Sequence, residues 1–262
     1  MPGGLWEDYF WPGTQVLRNT LGVHDQEALS RVEYGLASGR EREIDRGEAD
    51  IARTFDAAHL RAIHRQLFRD VYAWAGEYRT VDISKGVSEF AAVEAIDRYL
   101  ADAHQVVART SWAELDRDGF ARAVAEVYAY VNQAHPFRKG NGRAAKVFLQ
   151  HVAERSRFFL DFERVSSVEW NTAAALSGPD RGSYEPVPDL LVPVFGQLAE
   201  PRDQPTGEPG DPDVARAGEA SRAMFPRPAQ EAAGGPADQP ERYRPDPAEG
   251  YRSPYRSEGP QL

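Results

Sequence analysis

His135-Pro-Phe-Arg-Lys-Gly-Asn-Gly-Arg143 is the stretch on which the reading of this chain turns. Pro136 stops a helix arriving from the N-terminal side, because proline disfavours helical backbone at the residue before it. Gly140 and Gly142 flank Asn141, so the backbone can curl there with its N–H groups pointing inward and let a ligand approach closely. Arg143-Ala-Ala-Lys-Val-Phe-Leu-Gln150 is helix-competent. A helix starting behind such a turn contributes unpaired N–H donors and a partial positive charge. Arg143 and Lys146 then lie one helical turn apart and can face the same anion. His135 stands at the edge, and histidine is the side chain whose proton affinity lies nearest neutrality. The stretch reads as a phosphate site with a base at its rim.

Working outward, Phe120, Val124, Val127, Tyr128 and Val131 share one helical face and run directly into His135. Upstream, Asp56 can cap a segment whose apolar residues Leu60, Ile63, Leu67 and Val71 recur at helical spacing. Asp25-Gln-Glu-Ala-Leu-Ser-Arg-Val-Glu33 fits an early helix, and Ser166 with Glu169 makes a capping box for a late one. Between them, Arg79-Thr-Val-Asp-Ile-Ser-Lys-Gly-Val-Ser-Glu-Phe90 places β-branched residues around Lys85-Gly86, which predicts a short hairpin. The expected fold is therefore all-α over residues 1 to 200, with one small β-hairpin.

Composition changes near Pro201. From there to Leu262 lie 12 of the 19 prolines and 7 of the 22 glycines, with almost no aliphatic residues. Such a stretch cannot bury enough apolar surface to offset its ordering entropy, so 201–262 is expected to be a disordered Pro/Gly-rich tail. The 262 residues are 41% hydrophobic, enough for one domain with a real core. Cysteine is absent, which excludes disulfides and thiol catalysis. No apolar run approaches a membrane span and the start is not a secretory signal, so a cytoplasmic protein with no membrane contact is expected. The net charge of −10 argues against direct nucleic-acid binding.

Phosphate-group transfer needs a base for an incoming hydroxyl, donors for the phosphate oxygens and usually a divalent cation. His135 fits the first role. The Gly140 to Gly142 backbone and the Asn141 side chain fit the second, and Phe137 is expected to bury its ring and pin the loop. A bare Gly-Asn-Gly would be an ordinary helix-loop-helix. The histidine upstream and two cations downstream favour a site. His59 and His64 lack zinc-helix spacing and read as packing or surface residues, and Tyr72 and Trp74 as core.

His135 to Arg143 resembles the signature of the Fic domain, His-Pro-Phe-x-acid-Gly-Asn-Gly-Arg. Leu60 to Gly76 is similar to the helix leading to that family's flap, and Arg79 to Gly86 to the flap entrance; the similarity runs from about Tyr9 to about Leu198. The resemblance implies a helical core with a hairpin flap, and transfer of AMP from ATP to a hydroxyl side chain of a target protein. It implies His135 as general base and Gly140, Asn141 and Gly142 as the hole for the α-phosphate. Arg143 would reach the β-phosphate region, and Lys146, at a position usually held by arginine, the γ-phosphate. Ile83, Ser84, Lys85, Gly86 and Phe90 would form the flap that holds the target as an added strand.

The family's acidic position, which supports Mg²⁺, is Lys139 here. A unit charge pair about 4 Å apart is worth roughly 4 kcal/mol at an effective dielectric near 20, so this exchange is substantial. Mg²⁺ is still expected with ATP, and Lys139 either substitutes in part for the metal by neutralising phosphate directly or leaves the metal weakly bound. Gly142 matches the AMP-transferring form, whereas the Doc-like kinases carry lysine there. No Ser/Thr-x-x-x-Glu-Gly/Asn inhibitory motif occurs in the terminal regions. The resemblance is thus to class I Fic toxins, whose separate small antitoxin supplies the glutamate in trans and whose targets are DNA gyrase and topoisomerase IV. The alternatives are a catalytically impaired nucleotide- or partner-binding module and a Doc-like protein kinase.

Overall fold

The computed structural model describes residues 5–85 and 88–202. Gly86 and nearly all of the expected tail lie outside the described residues. Helix α1 (Gln26–Asp45) is capped by Asp25, whose carboxylate accepts from the Ala28 N–H at 2.8 Å. Helix α2 (Ala57–Phe68) is capped in the same way by Asp56 from the His59 N–H at 3.0 Å. The Asp56 cap stands where the sequence places it, and Asp25 caps the early helix in the same way, because an Asx side chain satisfies an N–H that the helix itself leaves unpaired. Helix α2 ends before Val71, which is buried in the turn that follows.

Strands β1 (Ser84–Lys85) and β2 (Ser88–Glu89) form the expected hairpin, antiparallel with Ser84 opposite Glu89 and Lys85 opposite Ser88. Helix α3 (Ile96–Arg109) was not anticipated by the sequence reading. Its buried residues Ile96, Tyr99, Leu100, Ala103, Val106 and Val107 nonetheless follow helical spacing. Helix α4 (Arg117–Ala134) carries the predicted apolar face and packs against α3. Helix α5 (Asn141–Ala153) lies against α2 and α4, and its residues Ala144, Ala145, Val147, Phe148, Leu149 and Val152 are buried.

A second two-stranded sheet, also unforeseen, pairs β3 (Phe158–Leu160) with β4 (Ala199–Pro201), so ordered strand extends to Pro201. Between these strands lie α6 (Ser167–Ala175), capped by Ser166 as predicted, and α7 (Leu191–Leu198), which packs on α4. The architecture among the described residues is helical with two minimal sheets. Helix α4 is nearly central, and its C-terminal end delivers His135. No helix of the described residues is long and apolar enough to cross a membrane.

Candidate active site

Helix α4 ends at His135 in left-handed backbone, φ 36° and ψ 57°. That region is uncommon for a residue with a β-carbon, and surrounding bonds must hold it. Arg79 supplies them. Its side chain is almost fully buried, with Nε donating to the His135 carbonyl at 2.9 Å and Nη2 to the Ala134 carbonyl at 3.4 Å. The same guanidinium donates to the carbonyls of Val81, at 2.8 Å, and Ala91, on the two legs of the hairpin. One cation thus satisfies the last carbonyls of α4 and ties both hairpin legs to them. The Arg79 N–H adds a bond to the Pro136 carbonyl at 2.8 Å, and the Ala91 N–H one to Gln133 at 2.9 Å.

Phe90 lies flat on the His135 imidazole, ring centroids 3.7 Å apart and planes 18° from parallel. Of the expected flap residues, Ile83 is buried, Ser84 and Lys85 form β1, and Phe90 belongs to the histidine's immediate surroundings.

The loop beyond Pro136 is fixed from inside. Phe137 is fully buried, as expected, and stacks on His64 at 3.8 Å. The Asn141 amide spans the loop: its Oδ1 accepts from the Phe137 N–H at 2.8 Å and its Nδ2 donates to the Phe137 carbonyl at 2.7 Å. The side chain expected to donate to phosphate thus also clamps the loop, using one of its two amide hydrogens on the Phe137 carbonyl. Gly140 adopts φ +86°, and a β-carbon on it would meet the Phe68 ring at 2.4 Å. Gly142 differs from the expected second curl. It sits in the first turn of α5 without a positive φ, and a β-carbon there would meet nothing within 4 Å. The first-turn N–H groups of α5 have no intrahelical acceptor, and Gly142 is exposed in that turn, at a helix N-terminus of the kind that suits an anion.

The cations lie deeper than expected. Arg143 is buried, with Nη1 3.8 Å from Glu41 and 3.3 Å from the Ser38 hydroxyl, and its guanidinium packs over Tyr34. Burial lowers its pKa, against the attraction of Glu41. Lys146 is also buried, its ammonium 4.9 Å from the Phe162 ring centre and 5.1 Å from that of Trp170. Burial lowers its pKa to about 8, Arg143 pushes the same way, and Glu41 opposes both. Lys139 is partly exposed, with Nζ 3.7 Å from Glu33. Helix α1 therefore presents Glu33 and Glu41 to the cations of the loop and of α5, a relation the sequence reading missed because it had no means of aligning α1 with α5.

A divalent cation fits these residues poorly. The position at which a carboxylate would hold it carries the Lys139 ammonium, and the nearby Glu33 carboxylate accepts from the Tyr72 hydroxyl. No cluster of three or more metal-ligating side chains occurs among the described residues.

Three further residues, His64, Arg79 and Arg138, shape the site, and of these the sequence points only to His64, as a packing or surface residue. His64 is fully buried and bonded at both ring nitrogens, to the Gly76 N–H and the Lys139 carbonyl. Arg79 carries no sequence signal beyond its place before the hairpin. Arg138 packs its guanidinium 3.9 Å from the Trp6 ring centre and within 5.6 Å of those of Tyr9 and Phe10, which fastens the N-terminal segment to the loop.

The sequence pattern of the Fic/DOC family matches residues 54–153, which includes α2 through α5. Over 169 residues the chain is 37% identical to the protein adenylyltransferase VbhT of Bartonella schoenbuchensis, covering 64% of this chain and only 35% of that longer protein. It is 30% identical over 168 residues to the probable protein adenylyltransferase Fic of Escherichia coli K12, covering 64% of this chain and 82% of that protein. The BepC protein of Bartonella tribocorum, a VirB-translocated effector solved with bound AMPPNP, has the same fold. Its TM-score is 0.66 at 23% identity, over 75% of this chain and 98% of that one. The chain belongs to the Fic/DOC family and is a relative of its protein adenylyltransferases.

Proposed function

We propose that this chain transfers AMP from ATP to a hydroxyl side chain of a target protein. The observation that carries the reading is His135 held at the end of α4, followed directly by a short loop and the first turn of α5, in which Gly142 is exposed. In the step, the target's hydroxyl oxygen bonds to the α-phosphorus while the bond to the bridging oxygen of the β-phosphate breaks. Pyrophosphate leaves, and the hydroxyl proton passes to the His135 imidazole. Backbone N–H groups of the α5 first turn stabilise the charge on the α-phosphate oxygens. Lys139, Arg143 and Lys146 supply positive charge for the outer phosphates. The hairpin edge, beside His135, receives the target backbone as an added strand.

The reading extends to a cytoplasmic toxin held silent by a small antitoxin and acting on DNA gyrase or topoisomerase IV. Its support is the resemblance of the signature and the lack of an inhibitory motif in the sequence. Incubation with α-labelled ATP, Mg²⁺ and topoisomerase subunits should label the target, and His135→Ala should abolish the label. Label from γ-labelled ATP alone would establish phosphorylation instead.

One observation favours a second reading. Lys139 sits beside Glu33 and Arg143 beside Glu41, so part of the positive charge is already balanced within the fold. A module that binds nucleotide without transfer would follow, and ATP binding with no label on any target would identify it.

A further inference from the structure

We infer that His64 is a positioning residue that aims a donor of the phosphate site, an inference that rests on the transfer reading above. The imidazole accepts from the Gly76 N–H at Nδ1, at 2.8 Å. An Nδ1 acceptor leaves the ring proton on Nε2, so Nε2 donates to the Lys139 carbonyl, also at 2.8 Å. The tautomer is therefore fixed by two backbone partners. The ring cannot tilt, because Phe137 stacks on it at 3.8 Å and the Phe68 and Trp74 rings lie 4.8 and 6.1 Å away.

The consequence concerns one peptide plane. None of the described peptide bonds is cis. In a trans peptide the carbonyl and the following N–H point in opposite directions. Pinning the Lys139 carbonyl toward His64 therefore turns the Gly140 N–H away from the interior, on the side from which α5 begins. Gly140 itself has no room to compensate, since Phe68 lies against it and its φ is +86°. Gly76, the other partner, is equally fixed: its φ is +82° and a β-carbon would meet the Arg65 side chain at 2.8 Å. His64 thus transfers the rigidity of the segment leading to the hairpin onto the phosphate loop.

The ring's two nitrogens can be tested separately. The amide nitrogen of glutamine reaches the place of Nε2, whereas asparagine reaches only that of Nδ1. Three variants, His64→Gln, His64→Asn and His64→Phe, should be compared by melting temperature, by calorimetric ATP affinity and by kcat and KM for transfer. His64→Gln, which restores the bond to the Lys139 carbonyl, should stay within about fivefold of wild type in kcat. His64→Asn and His64→Phe should lose about 100-fold, the scale of a lost oxyanion-hole donor. ATP affinity should fall in the same order. If the native chain labels no target, the transfer reading fails alone, and ATP affinity still decides the present inference. Equal affinities in the glutamine and asparagine variants, or losses that merely track melting temperature, would overturn it.

Discussion

Gly140 holds a left-handed φ with the Phe68 ring against its α-carbon, whereas Gly142 lies in the first turn of α5 with empty space before it. Their substitutions should therefore separate stability from binding. Gly140→Ala should destabilise the protein by about 2 kcal/mol or more, from the left-handed backbone and the displaced ring together. Gly142→Ala should leave stability unchanged or slightly raised, since alanine suits a helix better than glycine. Its methyl group would occupy the phosphate space, so ATP affinity should fall at least about tenfold. Denaturant titration and calorimetry check both, and unchanged ATP binding by Gly142→Ala would place the phosphate elsewhere. The sequence showed two glycines in a turn and assigned both to the curl. It could not show that one answers to a neighbouring ring and the other to open space, because Phe68 is 72 positions away along the chain. The task of Asn141 was hidden for a different reason. Its partner Phe137 is close in sequence, but an amide's choice between backbone and ligand depends on loop geometry.

At the scale of elements, local signals were legible where a single residue decides the outcome. Asp56 and Ser166 cap their helices as the sequence predicts, because the cap is a bond within one turn. The hairpin followed from β-branched residues around a turn. Helix α3 shows a regular apolar pattern that the reading passed over, while β3 and β4 are three residues each and pair across the chain, leaving no period to find. How the hairpin is attached depends on Arg79, whose donors reach both legs and the end of α4. Arg79→Lys keeps the charge but loses the planar fork that serves several carbonyls at once. It should lower stability by about 2 kcal/mol and speed amide hydrogen exchange across residues 83–93 far more than in α1. Exchange in residues 83–93 as slow as in the native protein would show that Gln133 and the backbone suffice to hold the hairpin.

For the whole molecule, buried histidines set the response to acid. Burial lowers the pKa of His59 to about 4, with Arg53 acting in the same direction and Asp56 against it. Burial lowers that of His64 to about 3, opposed by the Lys139 carbonyl. Their unfolded values lie near 6.5, so below that pH the unfolded chain takes up protons that the folded chain refuses. Stability is therefore full above about pH 6.5 and declines as pH falls toward 4, by up to about 1.4 kcal/mol per pH unit for each histidine. Asp70, held below the usual carboxylate value by Arg40, adds its loss only at still lower pH. Denaturant titrations between pH 7 and 4.5 should show this slope, and His59→Gln should reduce it; a flat profile would contradict the burial argument. His59 also bonds His151 of α5, ring nitrogens 2.9 Å apart, so the effect reaches the helix that bears the site.

The aromatic cage around Arg138 has a practical corollary. Trp6, Tyr9 and Phe10 lie more than forty positions before the family-matched span, and Glu33 and Glu41 also precede it, yet all five contact side chains within that span. An expression fragment trimmed to residues 54–153 would strip the loop of its aromatic collar and its counter-charges together, so any excision of this unit should begin ahead of Trp6.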